Sequence, residues 1–171
     1  PISGRYTKSQ IPGLEMIREK IQSDGAVKVT GIGVKGKLIF WMLSNEMFLL
    51  NTLGMTGSWR QNSCKHAHVS LHLEGDKKVF FKDVRNFGTL KYVQSPDTLK
   101  QKLSKIGPDM LSEEVSNFQF ISALRTQNKK TVAQAIMNQS VISGVGNYLK
   151  SESLYHARIS PHRLVKNISD Q

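Results

Sequence analysis

The hydrophobic period of this chain changes once, at the tripeptide SPD of residues 95–97, and that change confines it to a fold with sheet and helix segregated along the sequence. Before it, from residue 26 to 94, short runs rich in β-branched and aromatic residues alternate with turn residues: AVKVTGIGV, KLIFWMLS, MFLLNTLG, HVSLHLEG, KVFFKDV and GTLKYVQ. In residues 65–73 the alternation is clean, with Ala67, Val69, Leu71 and Leu73 on one face and His66, His68, Ser70 and His72 on the other. That pattern predicts antiparallel strands with one face solvated. A helix is expected ahead of them, where Leu14, Ile17 and Ile21 are helically spaced and Gly25 supplies the stop.

After residue 97 the spacing is helical. DTLKQKLSKIG is expected to start at a capping Asp97 and end at Gly107. SEEVSNFQFISALR carries Val115, Phe118, Ile121 and Leu124 on one stripe, with Ser112 as its expected N-cap. TVAQAIMNQ opens with a Thr131/Gln134 capping box, and GVGNYLKSESLYHA enters a further helix through a glycine-rich turn. The fold class is therefore α+β: an antiparallel, β-sandwich-like portion over residues 1–96, then an all-α portion over 97–171.

Charge narrows the function. Lys and Arg number 24 against 13 Asp and Glu, a formal net charge of +11. Residues 1–96 hold 14 basic and 7 acidic groups, and residues 97–171 hold 10 and 6, so the excess is spread through the body of the chain. A distributed positive field points to a polyanion, nucleic acid first and an anionic membrane second. The longest apolar run, LIFWML at 38–43, is far too short for a membrane span, and the helix at 14–23 is too balanced in charge to lie on one. The single cysteine, Cys64, excludes an internal disulfide framework and suits a reducing, intracellular compartment.

GIGVKGKL, residues 31–38, satisfies G-x-G-x-x-G and nearly satisfies the phosphate-loop pattern. Both nucleotide motifs must open a helix, whose N-terminal amides bind the phosphates. Here the glycines run into KLIFWML, which is strand-like, and Leu38 stands where a hydroxyl should hold magnesium. A hairpin turn with Lys35 and Lys37 projecting is expected instead. Cys64, His66, His68 and His72 form a second decoy. Ligands two apart on one strand face seldom close a tetrahedron, so exposed histidines are expected there and no metal site.

IMNQSVISGVGNYLKSESLYHARISPHR, residues 136–163, resembles the helix–two-turn–helix element of the formamidopyrimidine-DNA glycosylase / endonuclease VIII (Fpg/Nei) family. VKGKLIFWML resembles that family's lysine-bearing hairpin, TLGMTGSW its methionine loop, DVRNFGTLKY its arginine/phenylalanine loop and IGPDML its interdomain segment, all in the family's order. The resemblance implies a bifunctional DNA glycosylase/AP lyase of base-excision repair, acting on double-stranded DNA with an oxidised base or abasic site, as an intracellular monomer located with the DNA. Such enzymes flip a nucleotide and must fill the gap it leaves. The resemblance implies that Met55 occupies the vacated space, Phe87 wedges into the stack and Arg85 hydrogen-bonds the orphaned base. Asn147, at a helix start, and Lys37, the one member of the family's catalytic set carried over, would hold phosphates. Lys129, Lys130 and Arg125 are weaker candidates for the DNA backbone.

Three departures stand out. The family's nucleophile is an N-terminal proline followed by a glutamate, whereas Pro1 is followed here by Ile2, and ISGRYTKS resembles a segment reached after the family's opening helix. The expectation is that Pro1 is not the nucleophile, that an upstream segment belongs to the parent protein, and that the helix announced at Ser169 is cut short. The family's C-terminal finger, zinc-bound or zincless, has no counterpart in these residues, and one cysteine cannot build a four-cysteine finger. No cofactor is expected in this chain, and zinc in the parent protein is left open. Thr52 stands where many family members carry a phosphate-binding histidine. The alternative is a non-catalytic nucleic-acid-binding protein with the same helical element, which would lack the Met55 and Arg85/Phe87 loops.

Overall fold

The computed structural model describes residues 6, 10–111 and 114–169 of the 171. It divides into two compact units, Pro1–Val34 with Leu38–Leu99, and Lys35–Lys37 with Lys100–Gln171.

Among its described residues the first unit is built on seven antiparallel strands in two sheets. After helix α1 (Leu14–Asp24) come β1 (Val29–Lys35), β2 (Leu38–Leu43), β3 (Met47–Thr52), β4 (Gly57–Arg60), β5 (Ala67–His72), β6 (Lys78–Asp83) and β7 (Thr89–Gln94). One sheet runs β1-β2-β3-β7 and the other β4-β6-β5. The core combines Met47 and Leu49 of β3 and Leu90 and Tyr92 of β7 with Val69 and Phe81 of the second sheet, and with Ile11 and Ile17 from the α1 region. Trp59 stacks between Trp41 and Phe81, at centroid distances of 5.1 and 5.2 Å. The α1 entry is stitched to the sheet by the Tyr92 N–H, which donates to the Pro12 carbonyl at 2.8 Å. The α1 stop is as the sequence predicts: Gly25 takes φ +80° and its N–H donates to the Ile21 carbonyl.

The structure corrects several local expectations in this unit. GSWR, read as part of a loop, is strand β4 and pairs with β6, because Trp59 gains a buried partner in Phe81 there. Strand β3 is buried on both faces over Met47–Asn51, being central in its sheet, so a solvated face is absent from it. His68 is not on a solvated face. A β-bulge between Ala67 and Val69 makes it the extra residue and turns it inward, to 8% exposure. Its Nε2 lies 3.0 Å from the Asp83 carbonyl, an acceptor only, so that nitrogen carries the proton.

The second unit holds α3 (Asn117–Arg125), α4 (Val132–Met137), α5 (Asn147–His156) and a 3-10 turn at Val165–Asn167, reached through α2 (Pro96–Leu103). Val132 and Ile136 of α4 and Leu154 of α5 form its core. The Thr131/Gln134 capping box is present in full: the Gln134 N–H donates to Thr131 Oγ1 at 3.3 Å, and the Thr131 N–H to Gln134 Oε1 at 3.2 Å. Two other caps differ from expectation. Helix α2 starts at Pro96 with Ser95 Oγ accepting from the Thr98 N–H at 3.4 Å, so Asp97 sits in the first turn and the helix stops at Leu103, short of Gly107. The expected cap Ser112 lies outside the described residues, and α3 is capped by Ser116 through its own box with Gln119. The apolar stripe expected at Val115, Phe118, Ile121 and Leu124 is corrected: Phe120, Ile121 and Leu124 line the cleft of this unit, and Phe118 is 80% exposed.

Candidate nucleic-acid interface

The glycine motif resolves into a hairpin. Gly36 and Lys37 form the two-residue turn between β1 and β2, with φ +56° at Gly36 alone, the pattern of a II′ turn. A Cβ at Gly33 would collide with the Phe40 ring, whereas one at Gly31 would meet only the flexible Cε end of Met42, at 2.5 Å. A Cβ at Gly36 would come within 2.6 Å of the Ser143 Cβ. The Gly36 N–H donates to Asp109 Oδ2 at 2.7 Å, and the other Asp109 oxygen accepts from the Leu111 N–H at 3.1 Å, although Asp109 is only 4% exposed.

This fastening sets Lys37 at the start of α5. Its Nζ donates to the Val145 carbonyl at 2.8 Å, and that carbonyl also accepts from Gln139 Nε2 at 3.0 Å. Gln139 Oε1 in turn accepts from the Gly144 N–H, so one side chain shapes the whole SGVG turn. Helix α5 begins at Asn147 behind N-cap Gly146, with no side-chain cap and no acidic residue in its first turn. Its leading N–H groups therefore lack intrahelical partners, and the positive end of the helix dipole faces two ammonium groups. Those are Lys37 and Lys150, whose Nζ donates to Asn147 Oδ1 at 2.6 Å. Cations gathered at a bare helix N-terminus repel one another unless an anion joins them. Lys150, Gln139 and Asp109 were not singled out from the sequence; only the i, i+3 spacing of Asn147 and Lys150 was a signal.

In the sheet unit, the loops after β3 and β6 meet. Met55 is 70% and Phe87 59% exposed, so neither is a core side chain. Arg85 Nη1 lies 3.3 Å from Met55 Sδ, and its backbone N–H donates to Thr56 Oγ1 at 3.0 Å. Thr56 Oγ1 donates to Asp83 Oδ1 at 2.6 Å, and Asp83 Oδ2 accepts from the Gly88 N–H at 2.7 Å. Burial of Asp83 pushes its pKa up, but the bonds from Thr56 and from the Gly88, Arg85 and Asn86 N–H groups outweigh that and hold the carboxyl below its ordinary range. Gly54, at φ +60°, has no room for a Cβ, which would sit 2.7 Å from the Phe87 carbonyl carbon. Thr52 pairs with Thr89, Oγ1 to Oγ1, at 2.7 Å.

The remaining candidates lie elsewhere. Lys129 and Lys130 are exposed on the turn before α4, in neither cluster. Arg125 has an internal role: its guanidinium donates to the Val165 and Ile168 carbonyls, each at 2.6 Å, and ties the 3-10 turn to α3. Pro1 and Ile2 lie outside the described residues. The histidine face is broken by the inward turn of His68, and among the described residues no three His, Cys, Asp or Glu side chains cluster in a way that could hold a metal ion. No described helix is long and apolar enough to cross a membrane. An apolar cleft of about 340 Å³ between α3, α4 and α5, lined by Phe120, Ile121, Val132, Ile136 and Leu154, offers few polar groups to fix a ligand.

An antiparallel sandwich followed by helices, with a cation-flanked helix start in one unit and an exposed Met/Arg/Phe cluster in the other, defines a basic α+β protein. The chain matches the formamidopyrimidine-DNA glycosylase N-terminal domain over residues 11–90 and the formamidopyrimidine-DNA glycosylase H2TH domain over residues 106–171, and it belongs to that family. The formamidopyrimidine-DNA glycosylase of Bdellovibrio bacteriovorus is 34% identical over 157 residues, covering 88% of this chain and 56% of the relative. The crystal structure of MutM (Fpg) from Thermus thermophilus is 30% identical, with a TM-score of 0.74 over 84% of this chain and 54% of that one. The Lactococcus lactis Fpg (MutM) in complex with DNA containing N7-benzyl-Fapy-dG is 25% identical, with a TM-score of 0.78 over 92% of this chain and 59% of that one. The chain thus spans little more than half the length of these relatives.

Proposed function

We propose that the protein is a bifunctional DNA glycosylase/AP lyase of base-excision repair, and that this chain supplies its gap-filling loops and its principal phosphate clamp. The observation that carries this reading is the pair of large apolar side chains, Met55 and Phe87, held out in water on two loops laced together beside Arg85. An exposed apolar wedge costs solvation in the free protein and gains it back between base steps. The naming of the relatives as formamidopyrimidine-DNA glycosylases supports the reaction class, and the DNA complex of the Lactococcus lactis protein supports damaged duplex DNA as the partner.

In this reading Met55 fills the space left by the extruded nucleotide, Phe87 enters the stack and Arg85 donates to the base left opposite. Lys37, the first-turn N–H groups of α5 and Asn147 bind phosphate flanking the flipped nucleotide, with Lys150 completing the site. Lys129 and Lys130 add sequence-independent attraction to the backbone. Removal of the base proceeds by attack of an amine on the sugar C1′, forming an iminium, before elimination cuts the strand. Ile2 offers no carboxyl group to assist sugar opening beside Pro1, so Pro1 is not assigned the role of nucleophile. No cofactor is assigned to this chain. The protein acts as a monomer, within the cell, where the DNA is.

The test is binding of the 171-residue chain to two duplexes of one sequence, one intact and one bearing a single abasic analogue, across a salt series. The expected result is tighter binding to the abasic duplex, with both affinities falling steeply as salt rises. Equal affinity for the two duplexes would leave only a plain nucleic-acid binder. Borohydride added with a true abasic duplex is expected to trap no adduct with this chain; an adduct lost on blocking the Pro1 amine would return the nucleophile to Pro1.

A further inference from the structure

Loops with apolar tips are normally mobile, and a wedge that must be ordered on binding loses affinity to that ordering. Residues 53–57 and 84–88 are instead fastened at several points that converge on one carboxylate. Asp83 is 1% exposed at the end of β6 and reaches both loops: one oxygen takes the Thr56 hydroxyl of the methionine loop, the other the Gly88 N–H behind Phe87. Thr56 also accepts from the Arg85 N–H, so its hydroxyl is both donor and acceptor in a chain running Arg85–Thr56–Asp83–Gly88. The Gly57 N–H closes the methionine loop on the Leu53 carbonyl at 2.7 Å, and the Gly88 carbonyl accepts from the Tyr6 hydroxyl at 3.4 Å. Asp83 is in no ion pair among the described residues; its charge is met by hydroxyl and backbone N–H donors.

We propose that Asp83, acting through Thr56, is the positioning residue that holds Met55, Arg85 and Phe87 as one prearranged group for entry into a vacated base site. The inference rests on the gap-filling role assigned above to those three side chains and adds the buried element that aligns them. Asp83 is buried and Thr56 half-buried. Both lie behind the loop tips, and their effect is on the order of the tips before DNA arrives. A carboxylate suits the role because it accepts from both loops at once. An amide in its place presents an NH₂ to one of two donors and must release that loop.

The experiment compares the unmodified chain with Thr56→Val, Thr56→Ser and Asp83→Asn, using duplexes with an abasic analogue opposite each of the four bases, and an intact duplex. Thr56→Val keeps the side-chain shape and removes the hydroxyl; Thr56→Ser keeps the hydroxyl. The expected result is a loss of roughly tenfold or more in abasic-duplex affinity for Thr56→Val and Asp83→Asn. Their preference among opposite bases flattens, intact-duplex affinity and salt slope stay unchanged, and Thr56→Ser is restored to near the unmodified chain. Should Asp83→Asn fail to fold, Thr56→Val carries the test alone. Retention of both the abasic affinity and the opposite-base preference by folded Thr56→Val overturns the inference. An unmodified chain with no abasic preference would instead overturn the function on which it rests.

Discussion

Replacing Met55 and Phe87 together by alanine isolates the wedge. Fully burying a side chain of this size contributes about 1.5–3 kcal/mol. Met55 and Phe87 keep 70% and 59% of their surface in water. Each therefore has about 1–2 kcal/mol still to gain on entering a stack, or about 2–4 kcal/mol for the pair. That corresponds to a loss of about 30- to 700-fold in affinity for a duplex with an abasic analogue. The intact duplex offers no vacated space, so its affinity is expected to change by less than about threefold, and the folded chain to lose less than about 1 kcal/mol, since the truncated atoms are mostly solvated. Fluorescence anisotropy on the two duplexes at one salt concentration, with a urea melt of each variant, measures all three quantities. Equal losses on both duplexes would refute the wedge. A destabilisation of several kcal/mol would return Met55 and Phe87 to the core.

Further outcomes follow from the same geometry. Lys37→Gln removes one phosphate contact, so the slope of log affinity against log salt is expected to fall by about 0.9, equivalent to roughly 3.5-fold between 50 and 200 mM salt; an unchanged slope would exclude Lys37 from the clamp. Asp83 has a folded-state pKa below its ordinary value of 3.8, so its contribution to stability is complete above that value and is lost as pH falls through the folded pKa. Denaturant midpoints measured from about pH 6 downward should decline in that acid range, less steeply for Asp83→Asn. Thr131→Ala removes the oxygen that caps α4 and is expected to cost about 1 kcal/mol in a urea melt, with the abasic-to-intact ratio unaltered.

How much was legible depended on the span of the interactions. The α1 stop at Gly25, the α4 box at Thr131/Gln134 and the hairpin turn at Gly36–Lys37 each close within a few residues, and a short window of sequence holds both partners. The candidate site was partly legible for a different reason: Met55 and Phe87 each stand beside a glycine in a polar turn, an arrangement unlike that of core residues. Strand β4 was missed because four residues carry little periodicity, and its identity comes from Trp59 packing on Phe81 of another strand.

By itself, then, the sequence determined the segregation of sheet from helix at residues 95–97, the rejection of a nucleotide loop at 31–38 and the positive field. These are consequences of local period, turn chemistry and charge count. Only the tertiary structure decided which side of β5 His68 occupies, since a single bulged residue reverses it, and why position 33 is a glycine, since a Cβ there would meet the Phe40 ring across a strand pair. It alone revealed Asp83 as the junction of two loops and set Lys37 beside the start of α5. Thr56 and Asp83 are 27 residues apart, and Lys37 and Val145 are 108 apart. Separations of that size are spanned by the folded backbone, and no periodicity in the chain encodes which residues it brings together.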